Sequence, residues 1–206
     1  MKVTVGGSYH EPGWTAVCNL IRKLKEAGHE VLAPGDEWIP INKDDSFIKF
    51  KGEEYRTIAE LQDGFFDKMD LSDAYIICNP NSYEGMAVSV EFGYACGSIL
   101  NKTSNLKQIF FMEKPLCYEL FKGNPNISEE EFKQAVLGNP KLKKELEYYR
   151  KFLNNSKTEI SYGSISDFYC DLRDFFVKVL VLEKMGGITI GLDSILMHKK
   201  EDIDRE

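Results

Sequence analysis

Residues 2–8 read KVTVGGS: Val3 and Val5 alternate with Lys2 and Thr4, and two glycines and a serine follow. Alternation is the period of a β-strand, and a Gly-Gly-Ser break directly after it is a turn signal. The next apolar residues, Trp14, Val17, Cys18, Ile21 and Leu24, recur three and four positions apart, which places them on one face of a helix. Gly28 stands at the helix C-cap, and Glu30 to Ala33 supplies a second short strand before Pro34 and Gly35. Strand, glycine turn, helix and strand make a βαβ opening, and strands joined in this way run parallel.

The same alternation of elements continues. Ile58, Leu61, Phe65 and Met69 predict a helix. Ala74 to Cys78 is a nearly continuous apolar run, as expected of a central parallel strand covered on both faces. Residues 79–85 are turn-rich, Val88 to Leu100 predicts a helix in which Gly93, Ala95 and Gly97 permit close packing, and Gln108 to Met112 predicts a fourth strand. Thr158 to Tyr162 is expected to form a fifth strand. Ile165, Phe168, Leu172, Phe175, Phe176 and Val179 mark an amphipathic last helix, and Gly186 to Leu192 an edge strand. The expected fold class is α/β, a doubly wound parallel sheet of flavodoxin or Rossmann type with about five strands and a helical insertion.

At 206 residues the chain fits one domain, with a core at 1–114 and 157–185, a helical insertion at 115–156, and an edge segment and polar tail at 186–206. The insertion carries a capping box from Ser128 to Glu131 and a helix with Leu142, Leu146, Tyr149 and Phe152 on one face. Residues 36–55 have no sustained period but contain Trp38, Phe47 and Phe50, the pattern of a long functional loop such as a lid.

Thirty-three acidic against 26 basic residues leave a formal charge of −7, which excludes a general binder of nucleic acid polymers. No apolar run approaches the roughly 20 residues that span a bilayer, so no membrane partner is expected and the cytoplasm is the default compartment. The five cysteines are scattered without C-x-x-C spacing, and His10, His29 and His198 show no metal-ligand spacing, so no structural metal is predicted.

In a doubly wound sheet, ligands bind beyond the carboxyl ends of the strands where strand order reverses. That rule selects residues 6–13 and 79–85. Gly6, Gly7 and Ser8 can present backbone amides to a phosphate or sugar oxygen, or simply make a tight strand-to-helix turn. Tyr9 is placed to hydrogen-bond a catalytic carboxylate or a sugar, and His10 to act as an acid or base. Asn79 can bond its own turn or a ligand, while Tyr83 and Glu84 can stack on and hydrogen-bond a nucleobase. Glu91 falls early in the helix after this loop, where an ionised carboxylate complements the helix dipole and can attack a positively polarised sugar carbon.

The stretch DLSDAYIICNPNSYEGMAVSVEFGYACG, residues 70–97, resembles the nucleoside 2-deoxyribosyltransferase-like family, in which an Asp-led strand, a glycine-containing loop and a Glu-x-Gly-Tyr-Ala helix start follow one another. Here that start is Glu91-Phe92-Gly93-Tyr94-Ala95 and the loop glycine is Gly85. Residues 3–8, 28–34 and 159–176 are similar to the family's opening and closing elements. The resemblance implies Glu91 as nucleophile, a nucleoside or nucleotide as the small-molecule partner, no cofactor, and a homo-oligomer whose subunits complete each other's sites. The aspartate the family places in the preceding helix falls near Phe65, flanked by Asp63, Asp67 and Asp70, of which Asp67 is taken as substrate-binding. Ala87 and Val88 stand where relatives often carry Ser-Thr. The implied activity is N-glycosidic bond cleavage or 2-deoxyribosyl transfer; the alternative is a non-catalytic nucleotide-sensing or protein-interaction module on the same fold.

Overall fold

Five parallel strands form the centre of the molecule in the order β2-β1-β3-β4-β5. They are β1 (Lys2–Gly7), β2 (Glu30–Ala33), β3 (Ala74–Cys78), β4 (Gln108–Phe111) and β5 (Ile188–Ile190), seen in a computed structural model that describes residues 1–8, 13–34, 57–82, 84–153 and 164–197. Every residue of β3 is buried, in keeping with its uninterrupted apolar sequence. The fifth strand is the short edge segment after the last long helix. Thr158 to Tyr162, expected to be a strand, lies outside the described residues, as does the expected lid at 36–55.

Helices cover both faces. Helix α1 (Gly13–Glu26) packs on β1 and β3 through Val17, Leu20 and Leu24, beside the short α8 (Asp193–Leu196). On the opposite face lie α2 (Ile58–Asp70), α3 (Met86–Asn101) and α7 (Ile165–Lys184), together with α4 (Leu116–Gly123), α5 (Glu129–Gly138) and α6 (Pro140–Leu153). The sheet's alternation sorts the core: Val3, Val5, Ala74, Ile76 and Cys78 face α1, and Tyr75, Ile77, Ile109 and Phe111 face the larger helical layer.

Local sequence explains where helices start. Thr57 and Glu60 form a capping box at α2, and Ser128 and Glu131 form the box expected at α5. Pro140 opens α6, where its missing N–H costs no hydrogen bond. Helix α3 begins at Met86 rather than Val88, because Gly85 takes the extended N-cap conformation. The region expected as an insertion, 115–156, holds α4, α5 and α6, and their Phe121, Phe132, Leu146 and Tyr149 join the same apolar cluster as Tyr75, Phe92 and Phe176. Phe121 stacks on Phe176 with ring centroids 5.0 Å apart, and Tyr149 meets Phe176 edge-on at 5.5 Å. Among the described residues no helix is long and apolar enough to cross a membrane.

Candidate functional site

Strand order reverses between β1 and β3, and the register aligns Gly6 with Ile77 and Gly7 with Cys78 at the carboxyl ends of that pair. Glu91 comes up to this junction from α3. It lies in the helix's second turn, not the first, so helix-dipole complementation is not what fixes it. Three elements fix it instead. The Tyr75 hydroxyl on β3 donates to Glu91 Oε2 at 2.5 Å, Gln62 Nε2 on α2 reaches Oε1 at 3.5 Å, and Gly6 on β1 leaves the room the carboxyl occupies. A Cβ on Gly6 would lie 2.6 Å from Glu91 Oε2 and would also strike the Tyr75 ring. Glycine here permits the close approach of a strand to a carboxyl group.

Glu91 is only 5% exposed. Burial pushes its carboxyl up to about 7, against the lowering effect of the Tyr75 and Gln62 hydrogen bonds. Among the described residues no cation is one of the groups that shift it. The group expected from sequence as an ionised carboxylate therefore exchanges its proton near neutral pH, the range in which a side chain serves as base, nucleophile or acid. Phe65 packs its ring edge-on against Tyr75, with centroids 6.3 Å apart, and so limits the tyrosine's rotation.

The other expected residues divide. Gly6 and Gly7 are at the junction, but their smallness serves side-chain packing: a Cβ on Gly7 would sit 2.7 Å from Val17 Cγ2. Ser8 is half-buried where the chain turns toward Gly13 at the start of α1. Gly85 caps α3 with open space around its Cα. Tyr9, His10 and Tyr83 lie outside the described residues.

Three assignments change. Asp67 is exposed on α2 near Tyr94, and Gln62, one turn and a half earlier, is the α2 side chain that reaches the carboxyl. Asn79 is fully buried and satisfied by the backbone of Glu113: its Nδ2 donates to Glu113 O at 2.5 Å and its Oδ1 accepts from Glu113 N at 2.8 Å. It clamps the ends of β3 and β4 together instead of facing a ligand. Glu84 does not project toward a nucleobase; it is fully buried between α3 and α6, accepting from the Tyr149 hydroxyl at 3.0 Å.

Tyr75 and Gln62 are the residues sequence reasoning missed. A signal for Tyr75 was present: in an alternating parallel pair it shares a sheet face with Gly6, and a polar hydroxyl within a buried strand needs a partner. Gln62 had none, because its polar side chain reads as an ordinary surface position of an amphipathic helix. Among the described residues no group of three or more His, Cys, Asp or Glu is placed to hold a metal ion. Neither a protein-family model, nor a curated protein, nor a solved structure matches this chain.

Proposed function

We propose that the chain acts on the N-glycosidic bond of a nucleoside or nucleotide, with Glu91 as the nucleophile. The ionised Glu91 carboxylate attacks the anomeric carbon as the carbon–nitrogen bond breaks, and the base departs with the bonding electrons and takes up a proton. The resulting glycosyl ester is opened by water, giving hydrolysis, or by a nitrogen of a second base, giving transfer, and the carboxylate is regenerated. The observation that carries this reading is the placement of one buried carboxyl, held by a tyrosine and a glutamine, against a glycine at the strand-order reversal. The resemblance of residues 70–97 to the deoxyribosyltransferase-like pattern supports the same assignment.

Two partners on the carboxyl suit a nucleophile. Tyr75 and Gln62 both lower its pKa, which offsets part of the effect of burial and increases the ionised fraction at neutral pH. They also bond the two oxygens from different sides, which fixes the carboxyl plane.

A second reading, a nucleotide-binding module without turnover, draws on one observation: Ala87 and Val88 stand where the resembled family often carries Ser-Thr, and Val88 is packed in the apolar core. One experiment separates the two. The protein is incubated with deoxynucleosides and nucleoside 5′-monophosphates, released base is followed by chromatography, and Glu91→Ala serves as control. Base release that disappears in the variant is the expected result. Release unaffected by the substitution removes Glu91 from the chemistry, and a rise in melting temperature with nucleotides but no release favours the binding module.

A further inference from the structure

The end of the sheet opposite Glu91 carries its own order of charges. Glu30 opens β2, Lys2 opens β1, and Asp73 and Lys107 stand just ahead of β3 and β4. Their backbones are joined side by side: Lys2 is level with Glu30, the Asp73 N–H donates to Lys2 O at 2.8 Å, and the Lys107 N–H donates to Asp73 O at 3.0 Å. Across the strands the charges therefore run acid, base, acid, base, with neighbours about one strand spacing, roughly 4.8 Å, apart. All four side chains line one open cavity of about 580 Å³, whose wall also includes Asn105, Met1 and Leu71. That volume lies within the roughly 300–1,000 Å³ of small-molecule sites.

Among the described residues these charges do not pair with one another. Glu30, Lys2 and Lys107 form no ion pair, and Asp73 accepts only the Lys2 backbone N–H, through Oδ2 at 2.8 Å. That bond fixes the Asp73 carboxylate and leaves its Oδ1 for another donor. Leu71 is 59% exposed and Met1 43%, so the cavity also offers apolar surface beside the charges. We infer that this cavity is a second ligand site and that its ligand is a small zwitterion with an apolar group, supplied as a free apolar amino acid or a short apolar peptide. Asp73 and Glu30 take the ammonium, Lys107 and Lys2 take the carboxylate with the Asn105 amide as a further donor, and the apolar group rests on Leu71 and Met1. A simple anion or cation gains less, because every attracting charge in the row has a repelling one beside it. Only a ligand with both signs meets its complement at neighbouring positions. The cavity is open and its charges are hydrated, so dissociation in about the millimolar range is expected.

Titration of the isotope-labelled full chain, followed by the backbone amide signals of Gly28, Asp73 and Asn105 in NMR spectra at low salt, reads this directly. Leucine and leucyl-leucine, each taken to about 20 mM, are expected to shift these signals saturably. Whichever saturates first names the source, and either supports the site. N-acetylleucine lacks the ammonium and leucinamide the carboxylate, and each is expected to bind about fivefold or more weakly than leucine. Glu30→Lys and Lys107→Glu each reverse one charge of the row and should weaken leucine by about the same factor. Both positions are exposed, so melting temperatures within a few degrees of the wild type check that the variants are folded. The blocked analogues test the same point on the wild type, without any substitution. Signals that do not move with either zwitterion overturn the inference. So do blocked analogues that bind as tightly as leucine, folded charge reversals without effect, or shifts that ammonium acetate at the same concentration reproduces, since the two charges would then not need to belong to one molecule.

Discussion

Glu84, just ahead of α3, and Glu91, in its second turn, lie seven residues apart, both are buried, and burial raises the pKa of both, yet their surroundings have little else in common. Glu84 is sealed into the helical layer. Tyr149 donates to one of its oxygens, the other has no partner among the described residues, and the charge that adds to the effect of burial is the acid Glu145. Glu145 itself is held by the backbone N–H groups of Leu116 and Cys117 at 3.1 and 2.9 Å, at the first turn of α4. Glu91 stands instead at the carboxyl end of β1, where a glycine thins the wall above it. A raised carboxyl pKa is thus produced equally well within a sealed helical layer and at the strand-order reversal, and position in the sheet topology distinguishes them.

The widest gap between the two carboxyls should appear in turnover. Glu91→Ala is expected to lower base release by about 10³-fold or more, because the covalent step has no substitute nucleophile. Gly6→Ala comes next. Its new methyl group cannot coexist with Glu91 Oε2 and the Tyr75 ring, so either must move, and overpacking of this kind destabilises by about 1–3 kcal/mol. A melting temperature unchanged by that substitution would show that β1 and the carboxyl are not in contact.

Tyr75→Phe tests how the carboxyl is tuned. The hydroxyl lowers the Glu91 pKa, so its removal should push that pKa above about 7. In the proposed chemistry only the ionised form attacks the sugar, so the rising limb of the pH–rate profile should move to higher pH and the rate at pH 7 should fall about fivefold for a shift of one pH unit from a pKa of about 7. Recovery of the rate above pH 9 identifies an effect on the ionisation of Glu91. An equal loss at every pH would mean that the hydroxyl acts on the substrate itself.

How much of this was legible in the sequence follows from what periodicity encodes. The strand order rests on the βαβ opening and the apolar run Ala74 to Cys78, both visible because burial imposes a repeating pattern on neighbouring residues. The edge position of Ile188 to Ile190 was legible for the same reason. Glu91 could be singled out from its place in the helix after the third strand, but its partners could not. Tyr75 and Gln62 are 16 and 29 residues away, and only the register of β1 on β3 and the tilt of α2 bring them to it. Glu84 and Asn79 were misplaced by the opposite mechanism. Polar residues in a turn-rich stretch read as bonding their own turn or a ligand, whereas here buried partners, Tyr149 and the Glu113 backbone, take them inward.

The smallest effect on turnover is expected where burial is most complete. Glu84→Gln keeps an oxygen that accepts the Tyr149 hydrogen bond and removes only the group that ionises. An acid whose folded pKa is raised contributes stability that is full below its unfolded value and is lost as pH rises toward the folded one. The wild type is therefore expected to lose stability as pH increases above about 4.5, with Glu91 and Glu145 completing their share near pH 7 and Glu84 adding to the loss. Glutamine at 84 deletes its part of that slope, so the variant should gain on the wild type in thermal melts as pH rises and lose that gain at pH 4. Base release should stay within about twofold of the wild type, because nothing in the proposed chemistry passes through this side chain. A variant that folds normally but no longer releases base would exchange the roles of the two carboxyls: the acid sealed in the helical layer would have to open to substrate, and Glu91 would become the structural one.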